Sequence, residues 1–240
     1  MEKLAKKRIR YNNILLIPTD FSEVCENAIN HGIELAQFLH YKVCILHVIS
    51  IQTESAHKKE NHNQEQVEEN FRKCKELYEN KFSVKIELLA REGNFLKVIN
   101  KVATEIKANL MVLGTHGKQG LQHLFGSHAL KVVLDSPCPV VVVQKRSFEN
   151  GYHNIVLPIS SDIEPRQSVE WILLMSRLFN SKIHLFQSME TDPVLKTRLN
   201  IITQQITKIL DEKKVPFDIK TAETERDFST QIISHAVTHK

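Results

Sequence analysis

Glycine is scarce in this chain: seven residues in 240, alongside seven prolines, four cysteines and a single tryptophan. Cys25, Cys44, Cys74 and Cys138 include no Cys-x-x-Cys pair, so neither a zinc ribbon nor a thioredoxin-like motif is supported. Cys25, Cys44 and Cys74 sit where apolar side chains would fit, which predicts reduced core thiols. Long hydrophobic runs are also missing. Stretches such as 139–143 and 172–175 are far shorter than the roughly 20 apolar residues of a membrane-spanning helix. The basic start, residues 1–10, lacks the apolar core of a secretion signal and reads as a solvated tail. A soluble, cytoplasmic chain with no membrane partner is expected. Aromatics make up 7%, and the net charge of +4 comes from lysines and arginines scattered along the chain. No nucleic-acid partner is therefore expected.

What remains is ordinary globular material: 42% apolar and 25% charged residues, in a length that suits one large domain or two small ones. The first 145 residues alternate strand and helix signals. The apolar run 14–17 reads as a strand buried on both faces, ended by Pro18 and Asp20. Ser22 is expected to cap a helix whose apolar residues recur at Cys25, Ala28, Ile29, Ile33, Ala36 and Leu39. Residues 43–46 form a second strand. A polar stretch, 52–66, leads into a helix with Val67, Phe71, Cys74 and Tyr78 on one face. Val84, Ile86 and Leu88 alternate as a third strand, and Gly93-Asn94 breaks the chain. Phe95, Val98, Ile99, Val102 and Ile106 then mark an amphipathic helix. Residues 110–113 read as a strand, 127–135 as a helix and 140–143 as a fifth strand. This alternation predicts an α/β fold: a mostly parallel sheet with helices on both faces. Ligands of such sheets bind at the C-terminal strand ends, where strand order reverses.

After a polar linker at 145–153 the pattern begins again, with Asn154-Ile-Val-Leu-Pro158 echoing Asn13-Ile-Leu-Leu-Ile-Pro18. A helix over 171–179, a strand over 182–186, a helix over 194–210, alternation at Phe217, Ile219 and Thr221, and a helix over 228–237 follow. The domains are expected at 1–146 and 152–240, the second copy lacking its last two strands, the helix between them and any glycine loop. Ser160 stands where Asp20 stands in the first copy. Asp162 and Glu164 read as acids at a helix N-terminus rather than a catalytic pair.

Four of the seven glycines, Gly114, Gly117, Gly120 and Gly126, fall within thirteen residues. The segment follows a buried strand and opens a helix. Glycines let the backbone approach a ligand closely, and free N–H groups at a helix start suit a polyphosphate. Ser127 can add a hydroxyl donor. The Gly-Lys-Ser/Thr of a Walker loop is missing at the required spacing. His116, His123 and His128 lie seven and five residues apart, which does not match a helical metal pair. They read as loop histidines, with His116 placed to approach a phosphate, and no metal site is expected.

The segment resembles the signature of the ATP-binding universal stress proteins: Gly, two residues, Gly, nine residues, Gly, then Ser or Thr. Gly114, Gly117, Gly126 and Ser127 match it, with eight residues rather than nine between Gly117 and Gly126. Pro18, Thr19 and Asp20 resemble the end of the family's first strand, where an Asp contacts the nucleoside. His47 and Val48 resemble the position whose backbone meets adenine, and Ser136-Pro137-Cys138-Pro139-Val140 the approach to strand five.

The resemblance implies an adenine nucleotide alpha hydrolase-like sheet in the order 3-2-1-4-5, repeated with an incomplete second copy. It implies a cofactor, ATP with Mg2+ or a related adenine nucleotide, held by Pro18, Thr19, Asp20, His47, Val48, Gly114, His116, Gly117, Lys118, Gly126, Ser127 and His128. The implied role is a nucleotide-dependent regulator in stress response. Its partners would be the nucleotide and either another copy of the chain or its own second domain. No catalytic residue is assigned, because no base for hydrolysis can be named; at most a slow ATPase is expected. The alternative is an interaction module with an empty loop, which the glycines of the first half disfavour and the second half fits. The incomplete copy would leave its first strand at a sheet edge, expected to be covered by another chain or a neighbouring segment.

Overall fold

Leu15, Leu16 and Ile17 are wholly buried, as are Ile45 and Leu46. Apolar runs closed off on both faces become the inner strands of a parallel sheet. The computed structural model describes residues 13–49, 57–82, 84–115, 127–144, 147–149, 151–162, 166–224 and 227–239. The chain divides into two compact units, Met1–Glu149 and Asn150–Lys240.

The first unit runs β1 (Ile14–Thr19), α1 (Glu23–Leu39), β2 (Lys42–Ile49), α2 (His57–Phe82), β3 (Ile86–Glu92), α3 (Phe95–Glu105), β4 (Leu110–Gly114), α4 (Ser127–Leu134) and β5 (Val140–Val143). The strands form one parallel sheet in the order β3-β2-β1-β4-β5, as expected. Leu16, Cys44, Leu46, Met111 and Leu113 pack on one face against Ile99, Val102 and Ala103 of α3 and Val132 of α4. α1 lies close to β1: a Cβ added at Gly32 would stand 2.6 Å from Ile17 Cδ1.

Several boundaries differ from the sequence reading. β1 runs on through Pro18 and Thr19, whose ladder partners are Leu46 and His47. Proline's fixed φ is compatible with extended backbone, so Pro18 does not end the strand. The α2 backbone is helical from His57, inside the stretch read as polar lead-in. Its Lys, Glu and Gln residues are good helix formers that give no apolar period. β3 begins at Ile86 rather than Val84. Ser22 holds the N-cap position of α1, but its side chain makes no capping bond there.

The second unit runs β6 (Asn154–Ile159), α5 (Arg166–Phe179), β7 (Lys182–Gln187), α6 (Pro193–Glu212), β8 (Phe217–Thr221) and α7 (Phe228–Thr238). Its three strands are parallel in the order β6-β7-β8. Their register copies the first unit: Ile14 faces Lys42 as Asn154 faces Lys182, and Val43 faces Ile86 as Ile183 faces Phe217. Leu157, Ile159, Ile183 and Leu185 pack against Val169 and Ile172 of α5 and Leu199, Ile202, Ile206 and Leu210 of α6. Asp192 caps α6, accepting the N–H groups of Val194 and Leu195 at 2.8 and 3.0 Å. Asp162 sits in the turn after β6, not in the first turn of α5, and Glu164 lies outside the described residues. Among the described residues β6 has only β7 as a strand neighbour. No helix among them is long and apolar enough to cross a membrane.

Candidate functional site

Chain order reverses between β1 and β4, since β2 and β3 extend the sheet one way and β5 the other. At such a reversal the connections leave on opposite faces and open a crevice beyond the strand ends. Thr19 and Asp20 stand at that end of β1, His47 and Val48 on β2, and Gly114 and Thr115 at β4.

The turn after β1 is tightly organised. Thr19 is buried, and its Oγ1 accepts the N–H of Phe21 at 2.9 Å. Asp20 Oδ1 accepts the N–H of Ser22 at 2.9 Å. Between them Phe21 adopts a left-handed φ of 60°, a conformation that costs a side-chain-bearing residue about 1 kcal/mol or more and is held by these two bonds. Asp20 is left exposed at the strand end. Partial burial works to raise its pKa, but hydrogen bonds from Ser22 and Cys25 outweigh it and hold the carboxyl below its ordinary range. Asp20 is therefore ionised at neutral pH.

His47 Nδ1 lies 2.9 Å from the Thr19 carbonyl oxygen. That oxygen only accepts, so Nδ1 carries the proton and donates. The Phe21 ring lies 5.0 Å from the His47 ring, centroid to centroid, and meets Phe71 of α2 edge-on at 5.7 Å. Phe21 and Phe71 thus join His47 beside the ends of β1 and β2. The sequence reading placed Phe71 only on a helix face and passed over Phe21.

Thr115 continues β4 by one residue: its N–H donates to the Val143 carbonyl at 2.9 Å. Its hydroxyl is buried and has no hydrogen-bond partner among the described residues. Such an orphaned group costs about 1–3 kcal/mol. It stands next to Gly114, where the glycine segment leaves the sheet. Nothing in the sequence around Thr115 marks an unpartnered hydroxyl. Asn27 of α1 donates to the Gln144 carbonyl at 2.7 Å and ties α1 to the end of β5.

Of the remaining expected residues, Pro18 is buried within β1 and Val48 is half-buried in β2. His116, Gly117, Lys118 and Gly126 lie outside the described residues, with Gly120 and His123. Ser127 and His128 are the first residues of α4, where the sequence reading begins that helix.

The model of the universal stress protein family matches residues 11–144, which contain β1 through β5. The chain is also 33% identical over 139 residues to a universal stress protein of Methanocaldococcus jannaschii, covering 55% of this chain and 81% of that protein. The chain belongs to the universal stress protein family. A universal stress protein of Archaeoglobus fulgidus shares the fold, with a TM-score of 0.78 over 95% of this chain and 84% of that one. At 15% identity that likeness is one of fold alone. Within this universal stress protein, the family match takes in every expected site residue from Pro18 to His128.

Proposed function

We propose that this universal stress protein is a cytoplasmic, nucleotide-dependent regulator of stress responses. It binds ATP, or a related adenine nucleotide, with Mg2+ in the crevice at the β1–β4 reversal. The observation that carries this reading is the adjacency of β1 and β4. It brings the exposed, ionised Asp20 and the start of the glycine segment at Gly114 to one end of the same sheet.

In this reading Asp20 accepts a ribose hydroxyl, with lone pairs left over after the Ser22 N–H. The backbone of His47 and Val48 meets the base, and Pro18 and Thr19 shape the floor. Gly114, Gly117, Gly126 and Ser127 bring N–H groups to the phosphates at the start of α4, whose dipole favours an anion. Lys118, His116 and His128 balance charge, and Mg2+ would be held through phosphate oxygens. The unpartnered Thr115 hydroxyl fits such a ligand, because a phosphate oxygen would accept its proton.

The nucleotide domain spans 1–146. Residues 152–240 form a second universal stress protein-like domain without a phosphate loop, so each chain takes one nucleotide. Catalysis is at most slow, since no base is assigned. The position of β6 at a sheet edge favours self-association or pairing between domains that covers its free N–H and C=O groups.

Calorimetric titration with ATP and Mg2+, beside a Gly117→Val control, tests the reading. Saturable binding near one ATP per chain, lost in the control, is expected. A folded wild type that binds no adenine nucleotide sinks it and leaves the interaction module.

A further inference from the structure

The two units use the same sheet register but fill one face differently. Cys44 of β2 pairs with Leu16 and Glu87, and His184 of β7 pairs with Val156 and Asp218 at the matching place. In the first unit that face is apolar, with Cys44 against Ile99 and Val102. In the second it gathers three histidines. His184 is 2% exposed and His235 of α7 7% exposed, while His239, at the C-cap of α7, is half-buried. One ring nitrogen from each lies within 4.8 Å of the other two. The fold does not require this polar cluster, since its first copy does without it.

We propose that His184, His235 and His239 bind one divalent transition-metal ion of the zinc class.

The hydrogen bonds sort the ring nitrogens. His184 Nδ1 lies 2.9 and 3.1 Å from the two carboxylate oxygens of Asp218, so Nδ1–H donates and Nε2 is the ligand atom. Lys182 holds the same carboxylate at 2.8 Å. His239 Nδ1 lies 2.9 Å from the His235 carbonyl oxygen, which fixes the proton there and again leaves Nε2. His235 Nε2 is buried and has no partner among the described residues. Metal-bound histidines characteristically donate their other N–H to a carboxylate or a backbone carbonyl, and two of these three already do. His235 and His239 are four apart, which puts them on one helix face.

Two zinc–nitrogen bonds of about 2.0–2.1 Å hold their nitrogens no more than ~4.2 Å apart. A tetrahedral site brings the nitrogens to ~3.3 Å of one another, so the rings must turn inward about their side-chain bonds to take the ion. His184 Nε2 donates to the amide oxygen Asn154 Oδ1 at 3.0 Å, so an incoming ion displaces that proton together with the hydrogen bond. A cavity of about 170 Å³ lined by Phe186, Lys220, Glu223, Gln231, His235 and Thr238 adjoins the cluster and gives room for a fourth ligand such as water. Three imidazoles suit zinc, cobalt, nickel or copper, not magnesium or calcium, which take oxygen ligands. This inference does not depend on nucleotide binding in the first unit.

The test is titration of the metal-free full chain with Co2+, read by its ligand-field absorption, followed by displacement with Zn2+. One equivalent per chain with bands of a four-coordinate site is expected. His239→Ala, at a half-buried helix end, should keep its circular dichroism and lose affinity about tenfold or more, as should Asp218→Asn through loss of the carboxylate behind His184. His153→Gln, outside the cluster, should leave binding unchanged. Absence of Co2+ bands, or an unchanged Co2+ affinity in His239→Ala, overturns the site. If His239→Ala does not fold, imidazole NMR of the wild type decides: the three rings shift together at one equivalent of Zn2+, and shifts confined to other histidines overturn it.

Discussion

The imidazole of His47 donates from Nδ1 to the main-chain carbonyl of Thr19, 2.9 Å away, and the two residues are also partners in the β1–β2 ladder. A side chain therefore reinforces the last pair of the ladder, where the strands open into the crevice. His47→Leu should destabilise the chain by about 1 kcal/mol, the net worth of such a bond. The proposed adenine contact is made by backbone, so nucleotide affinity should weaken only severalfold, through looser placement of the β1 end. Urea unfolding and calorimetry on the same variant separate the two effects. Unchanged stability would show that the bond contributes nothing.

Gly32→Ala should destabilise despite alanine's better helix propensity. Propensity favours alanine by about 1 kcal/mol. Against it, the new Cβ would lie 2.6 Å from Ile17 Cδ1 and 3.1 Å from Cγ1, and Ile17 is wholly buried, so its side chain has to shift within the core. Overpacking of this kind costs about 1–3 kcal/mol. Ile17→Val removes the clashing methyl, so the double variant should be more stable than the two single losses predict. Strict additivity would mean that the contact is not the cause.

The first unit should lose stability in alkali through its core thiols. Burial, with the Glu87 charge second, pushes the Cys44 thiol up to about 12. Burial, then the Glu26 charge, pushes Cys74 to about 11. An unfolded cysteine releases its proton near 8.5. Above that pH the unfolded chain holds fewer protons than the folded one, so stability falls as pH rises from about 8.5 towards the folded values. Cys44→Val should flatten the loss between neutral pH and pH ~10, measured by urea unfolding. An unchanged slope would rule out Cys44 as a contributor.

The central strands were legible because burial on both faces leaves an unbroken apolar run, as at Leu15–Leu16–Ile17 of β1 and Leu110–Leu113 of β4. Amphipathic helices were legible for the same reason, α3 through its buried Ile99, Val102 and Ala103. The start of α2 was not, since polar helix formers carry no period. The N-cap position at Ser22 was legible from its place before the apolar period of α1, whereas the absence of a side-chain bond there was not. Strand order came from the family resemblance rather than from periodicity, which carries no information about neighbours. Thr115 was missed because an unpartnered hydroxyl exists only in three dimensions. The histidine cluster was missed because His184 meets α7 only through packing on the sheet, and the one signal in the sequence, the four-residue spacing of His235 and His239, was passed over.

The matched ladders of β1-β2-β3 and β6-β7-β8 mean that the chain carries two strand triplets built to one register. Each face-to-face position has been solved twice under one geometry, as Cys44 and His184 illustrate. Exchanging residues between equivalent positions therefore isolates side-chain chemistry from backbone placement. Cys44 and His184 swapped in one polypeptide would ask whether the metal ligand belongs to the strand position or to the neighbours that surround it. Here that internal standard extends over three strands.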